Sequence, residues 1–224
     1  MKNFNNLTLI IPAKQEHESL PLVIKELKKY NIKKIVVTPK NENYNYIKDK
    51  KIIFLKQKKK GYGDALIFGI NKVETDFFCI FNADGSFRPI ELRKMLDELK
   101  RKKLDFMFAS RYKKNGKTDD DTILTAVGNF IFTKLSFIFF STKITDILYT
   151  YVIGKTKSFK KLKIKSNDFS FCVELPIKIQ KANMKYSCIA SHERKRLSGT
   201  KKVNEIKDGI KIMFKMIYLF LKKN

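Results

Sequence analysis

Phe77-Phe78-Cys79-Ile80-Phe81-Asn82-Ala83-Asp84-Gly85-Ser86 is a run of five apolar residues that breaks at once into a polar turn. A run that short, rich in aromatic and branched side chains, reads as a buried strand. Asp84 then stands just past the strand's C-terminal end, where open α/β sheets carry their ligand chemistry. The Asn82 amide and the Ser86 hydroxyl flank it, and the three offer oxygen ligands suited to Mg²⁺ or Mn²⁺. Asp-Gly is also ordinary turn chemistry, so the segment alone leaves a plain turn open. Pro89 fits the first turn of a following helix, with Ser86 as its cap.

Working outward, the first half of the chain alternates strand and helix patterns. Leu7–Ile11, Ile35–Val37, Ile52–Leu55 and Phe106–Ala109 read as further strands. Helices are expected over about Leu20–Tyr30 (Leu22, Val23 and Leu27 inward), from Gly61-Tyr62-Gly63 to about Asn71, and from about Pro89 to Lys102. Strands alternating with helices indicate a Rossmann-like, doubly wound, mainly parallel sheet. The division expected is a catalytic domain over 1–202 and a basic amphipathic helix over 203–224.

The chain has 224 residues, enough for a substantial core, and 43% hydrophobic content excludes a disordered chain. Cys79, Cys172 and Cys188 sit in apolar stretches with neither pairing nor metal spacing, which points to reduced thiols in a cytoplasm. The formal charge is +26, from 48 Lys+Arg against 22 Asp+Glu. Such a surface attracts nucleic acid, anionic lipid or phosphorylated substrates, and a Lys-rich composition bias also explains part of it.

Ile123–Phe140 carries one charge, Lys134, and is long enough to raise the question of a membrane span. Thr125, Asn129, Thr133 and Ser136 recur at helical spacing, however, and their polar stripe favours a packed or interfacial helix. From Val203 to Lys222, Ile206, Ile210, Met213, Ile217 and Phe220 share one face, opposite Lys207, Lys211 and Lys215. That pattern suits either an anionic membrane surface or a helix docked on the core with a solvated Lys face.

Six segments in order resemble the family 2 glycosyltransferases. Ile10-Ile11-Pro12-Ala13 with Glu16 is similar to their I-P-A-x-N-E opening, and Gly61-Tyr62-Gly63-Asp64-Ala65 to their G-x-G-x-A segment. Asn82-Ala83-Asp84 lies where they carry D-x-D, and Ser110-Arg111-Tyr112 and Thr145-Asp146 resemble their S-R-Y and T-D pairs. Arg196-Leu197-Ser198-Gly199 with Lys202 resembles the R-x-x-G-x-x-K loop of the branch that makes dolichyl- or polyprenyl-phosphate sugars.

The resemblance implies a GT-A fold, a nucleotide-sugar donor and a divalent metal, Mg²⁺ or Mn²⁺, on the donor diphosphate. It makes Asp84 the direct metal ligand, assisted by Asn82 and Ser86, and puts Pro12, Ala13, Glu16, Asp64 and Ala83 around the nucleotide sugar. Gly61 and Gly63 would let the chain pass close to the nucleotide, and Arg111 and Arg196 would meet phosphate oxygens. For a hydroxyl acceptor the candidate bases are Asp146, Asp168 and Glu174; a phosphate acceptor needs none. The expected partners are a nucleotide-sugar donor, a polyprenyl-phosphate or glycan acceptor and an anionic membrane touched peripherally from the cytoplasmic side, with no nucleic acid.

The chain departs from the family pattern in four places. Val37-Thr38-Pro39-Lys40 stands where many relatives carry an acidic V-D-D-G-S that holds the base, and Asn82 replaces the first Asp of D-x-D. Tyr149-Thr150-Tyr151-Val152 replaces an S-G-F-R segment. Asp119-Asp120-Asp121 stands where basic residues would meet an acceptor phosphate and would repel one. A sugar nucleotidyltransferase-like enzyme is a competing reading, but Ala13-Lys14-Gln15 lacks the glycines it wants. A basic nucleic-acid or anionic-surface binder is the other; the Lys residues are dispersed and no binding module is visible.

Overall fold

The computed structural model describes residues 2–200 and 202–222. Along the chain run β1 (Lys2–Pro12), α1 (Ser19–Leu27), β2 (Tyr30–Thr38), β3 (Ile52–Lys56), α2 (Tyr62–Asn71), β4 (Phe77–Ile80), α3 (Glu91–Arg101) and β5 (Phe106–Ser110). The second half adds β6 (Lys117–Thr118), α4 (Ile123–Phe140), β7 (Val152–Lys155), α5 (Thr156–Leu162), α6 (Phe171–Lys181), β8 (Tyr186–Ala190), β9 (His192–Glu193) and α7 (Glu205–Leu221).

Seven strands form one sheet in the order β3-β2-β1-β4-β7-β5-β8, and β6 pairs with β9 in a small second sheet. All neighbours in the large sheet are parallel except β7, which runs antiparallel to both β4 and β5. The mainly parallel sheet read from the first half is therefore present, with one reversed strand at its centre. The strand and the residues leading into it alternate as a two-sided strand must: Tyr149, Tyr151 and Ile153 enter one core and Val152 the other.

Helices cover both faces. On one, α1 and α3 bury Leu20, Val23, Ile24 and Leu27, and Leu92, Met95, Leu96 and Leu99, against the sheet. The second set repeats at helical spacing, and each side chain removed from water contributes about 1.5–3 kcal/mol. Leu22, expected inward, faces solvent, and α1 stops at Leu27 because Tyr30 already pairs in β2. Ser86 does not cap α3, whose first turn follows Ile90 without any side-chain cap; its hydroxyl turns to Asp84 instead.

The other face holds α2 and α4 to α7. Here α7 is no appendage beyond the domain: Ile212, Met216 and Leu219 lie in the same core cluster as Phe132 of α4 and Phe171 to Ile179 of α6. The face expected to share one role is split, because Ile206, Ile210, Ile217 and Phe220 stay exposed while Met213 packs. Lys215 leaves its stripe and reaches the buried Glu174 at 3.1 Å. On α4 the polar stripe is the docking side. The Asn129 carbonyl oxygen accepts from the Leu148 amide, the Thr133 hydroxyl from the Ile147 amide, and the Ser136 and Thr142 hydroxyls pair.

Candidate active site

The strand order reverses between β1 and β4, and the crevice beyond the C-terminal ends of these strands is a cavity of about 610 Å³. That is the switch point at which doubly wound sheets bind ligands. Pro12 and Ala13 from the end of β1, and Val37 and Pro39 from the end of β2, form its apolar wall.

Asn82, Ala83, Asp84 and Ser86 line the cavity from the turn after β4. Ser86 fixes Asp84: its amide and its hydroxyl both donate to Oδ1, at 2.9 and 2.7 Å. The turn is tied down from the far end of the chain. Leu197 N–H donates to the Asp84 carbonyl, and Arg194 N–H to that of Ser86, while the Arg194 guanidinium bonds the Gly85 and Phe87 carbonyls. Gly85 has φ +83°, a conformation glycine adopts freely, and a Cβ there would strike Leu197. Ser86 thus positions Asp84 through the hydroxyl that the sequence offered to a metal, and the Asn82 carbonyl oxygen accepts from the Tyr62 hydroxyl at 3.3 Å.

A cation would still find a carboxylate here. Asp84 Oδ2 has no hydrogen-bond partner among the described residues, and no group of three or more acidic, His or Cys residues able to hold a metal occurs among them. One open carboxylate oxygen beside an amide suits Mg²⁺ or Mn²⁺ that takes its remaining ligands from phosphate and water. The residues fit the ion on that condition.

Glu16 faces the same cavity, accepts from the Ser19 hydroxyl at 2.6 Å, and has its pKa raised by burial and then by the nearby Asp84 charge. Lys202 and Arg196 stand close enough to oppose that shift. Arg196 also lines the cavity, and its guanidinium is held by Asp120 at 2.6 Å.

Arg111 does not offer a fork to phosphate. It is bound bidentately by Asp146, at 2.8 and 2.9 Å, by Glu193 at 3.0 Å, and by Asp121 at 3.3 Å. Asp146 is buried, and both its oxygens are spent on Arg111, so it is unsuited to act as a base. Burial raises the Glu193 pKa against the lowering effect of Arg111. The Asp119–Asp121 run is not a bare acidic patch: Asp119 meets His192 and Lys117, Asp120 meets Arg196, and Asp121 meets Arg111. The repulsion expected of it is neutralised residue by residue.

Glu174 lies outside the cavity. It accepts from the Lys165 and Ser166 amides and pairs with Lys178 and Lys215, tying the 163–166 loop and α7 to α6. Burial works against its charge, but hydrogen bonds from Lys178 and Ser166 and the Lys215 charge bring its pKa down to about 2. A carboxyl depressed in the folded state contributes stability above its ordinary value of 4.5 that is lost as pH falls towards about 2. Glu174→Gln is therefore expected to remove on the order of 3 kcal/mol at neutral pH and to flatten the acid limb of a stability–pH curve. Urea melts from pH 2 to 7 check this; parallel acid limbs would count against it.

Gly61 and Gly63 both make room for a neighbouring segment of backbone. A Cβ on Gly61 would collide with the Asn167 carbonyl, and one on Gly63 with that of Ser166. The Asp64 amide donates to the same Asn167 oxygen at 2.9 Å, and its carboxylate accepts from the Lys59 amide. Only Gly61 of the two lines the cavity. Asp168 caps the Ser170 amide beside them.

Glu42 was not visible as a site residue in the sequence. The loop after β2 brings it back to the cavity wall, where Oε2 accepts from the Gln15 amide and the Tyr44 hydroxyl. It supplies a carboxylate near where Val37–Lys40 lacks one, and nothing in local spacing marks it.

The family model described as Glycosyl transferase family 2 matches residues 8–163. A curated relative, UDP-N-acetylglucosamine--dolichyl-phosphate N-acetylglucosaminyltransferase of Methanococcus voltae, is 24% identical over 162 residues. That match covers 62% of this chain and 64% of the relative, just under two thirds of its length. Among solved structures, glucosyl-3-phosphoglycerate synthase from Mycobacterium tuberculosis, in complex with Mn²⁺, UDP and phosphoglyceric acid, superposes with a TM-score of 0.72 at 10% identity, over 98% of this chain and 80% of that one. Mannosyl-3-phosphoglycerate synthase from Rubrobacter xylanophilus gives 0.69 at 12% identity, over 95% and 72%. At such identities these likenesses show the fold, which is GT-A.

Proposed function

The chain belongs to glycosyl transferase family 2, and from that premise we propose that it moves a sugar from a nucleotide-sugar donor to a polyprenyl-phosphate or glycan acceptor, with inversion, in cell-surface polysaccharide or glycolipid synthesis. The observation that carries this reading is Asp84: one carboxylate oxygen is locked by Ser86 and the other has no hydrogen-bond partner among the described residues at the cavity wall.

In the reaction the acceptor oxygen bonds to the sugar's anomeric carbon from the face opposite the leaving group. The bond from that carbon to the diphosphate breaks, and nucleoside diphosphate departs. Mg²⁺ or Mn²⁺ bound at Asp84 would neutralise the charge growing on the diphosphate. Pro12, Ala13, Val37 and Pro39 would wall the nucleoside, with Glu16 and Glu42 as the carboxylates beside it. Arg196 and Lys202 offer positive charge to the phosphates, Arg196 by exchanging Asp120 for a phosphate oxygen through the same fork.

The candidate bases bear on the acceptor. Asp146 and Glu174 are committed to internal ion pairs, and Asp168 caps the Ser170 amide and is not among the residues lining the cavity, which favours an acceptor already anionic, such as a lipid phosphate, that needs no base. The Methanococcus voltae relative, named for a dolichyl-phosphate acceptor, supports the same choice. Its UDP-sugar donor, and the UDP in the Mycobacterium tuberculosis structures, make uridine diphosphate sugars the first donors to try. Three free, buried cysteines support a cytoplasmic location.

Thermal shift against nucleoside diphosphates and their sugars, each with and without Mn²⁺, tests the reading. A metal-dependent rise with one nucleotide is expected, since a ligand bound only to the native state stabilises it. No rise with any donor, together with salt-labile binding to random DNA, would overturn it.

A further inference from the structure

Beyond the cavity, the largest unexplained feature is the outer surface of α4 and α7. Ile123, Phe130, Phe137 and Ile138 on α4, and Ile206, Phe214 and Leu221 on α7, are 60–85% exposed. The two helices meet at their C-terminal ends, where Phe220 packs edge-on against Phe139 and Phe140, at 5.3 and 6.1 Å between centroids. The result is one apolar face across both helices, of a kind soluble monomers rarely leave in water. Its charge is one-sided. α4 holds no acidic residue, and the two on α7, Glu205 and Asp208, are confined to its first turn. Lys134 sits over the Phe130 ring and Lys222 over Tyr218, with Lys207 exposed on α7.

We propose that this two-helix face seats the protein on an anionic lipid bilayer, with both helices lying in the plane of the interface. A second copy of the chain is a poor occupant, because each copy brings a formal charge of +26 to the contact. An anionic bilayer answers both features at once, taking the aromatic and aliphatic side chains between its headgroups and pairing the lysines with lipid phosphates. A crossing helix does not fit. α4 is long and apolar enough to span, but Asn129, Thr133 and Ser136 bind the 142–148 segment, and insertion would strip those bonds in hydrocarbon. Thr125 of α4 and Ile212 of α7, on the inward sides of the same two helices, line the cavity, so the seated pair of helices borders the site. That adjacency deepens the glycosyl-transfer reading, and rests on it, by giving a lipid-borne acceptor a short path from the bilayer; the seating does not depend on it.

The chain has no tryptophan, which makes a single introduced one a clean reporter. Phe214→Trp is expected to shift its emission to the blue with phosphatidylcholine vesicles containing about a third phosphatidylglycerol, and Leu22→Trp, on α1, to stay unchanged. In cosedimentation, the full chain should bind these vesicles, and the double variant Phe137→Glu, Phe214→Glu should bind at least about tenfold more weakly with an unaltered melting temperature. No binding by the full chain, or equal binding by the double variant, would overturn the proposal. So would a lipid-free dimer, seen by sedimentation velocity, that the double variant converts to monomer. None of these readouts uses sugar transfer, so failure here and failure of the enzymatic reading are separable.

Discussion

Asp84→Asn is expected to lower sugar transfer by about a thousandfold or more while leaving the melting temperature of the ligand-free protein nearly unchanged. The amide can still accept from the Ser86 amide and hydroxyl, so the turn after β4 keeps its internal hydrogen bonds. What disappears is the negative charge that would hold a cation against a diphosphate. Asp84→Ala should match it in activity but also lose about 1–2 kcal/mol of stability, because two Ser86 donors lose their acceptor. Initial rates with the donor found by thermal shift, measured alongside melts of both variants, make the comparison. Full activity in either variant would remove Asp84 from the metal's coordination.

The largest effect on stability is expected at Arg111. Arg111→Leu leaves Asp146, Glu193 and Asp121 gathered in the interior without their common counter-charge. Breaking a buried ion cluster from one side costs roughly 3–5 kcal/mol. For a chain of this size that means a melting temperature lower by about 10 °C or more. The sign of the pH dependence follows. Burial already raises the Glu193 pKa and Arg111 opposes that shift; without Arg111 the folded-state value rises further above the unfolded one, so the loss grows as pH rises and shrinks near pH 5. Melts of wild type, Arg111→Leu and Arg111→Lys at pH 5 and 8 test this, the Lys variant keeping the charge without the fork. A deficit independent of pH would contradict the account.

Local pattern carried much of this molecule. The parallel strands of the first half are short apolar runs between turn residues, and the Asn82–Ser86 turn follows directly from the end of one. Strand β7 is hard to read because it spans only Val152–Lys155, begins at the last residue of the segment that departs from the family's S-G-F-R, and holds a glycine. The helix α7 shows a different limit. It has apolar residues on more than one side, so periodicity establishes an amphipathic helix without saying which stripe turns inward; Ile212, Met216 and Leu219 do, and most of the expected face remains outside. Asp146 and Glu193 join the Arg111 cluster from 35 and 82 residues away, a convergence that no local spacing encodes. Glu42 reaches the cavity for a similar reason, carried there by a loop.

The reversed strand at the centre of the sheet bears on how the chain reaches this structure. β4 and β5 are the last two large strands of the parallel first half, yet they never touch in sheet order; β7, supplied some forty residues after β5, must enter between them. Until it does, each of the two presents an unpaired edge, the template for pairing with another chain. The first 110 residues therefore form no closed folding unit, despite their regular alternation. Joining the sheet waits on a long-range insertion, which predicts slow, aggregation-sensitive refolding from denaturant and little independent structure in a fragment that stops short of Val152.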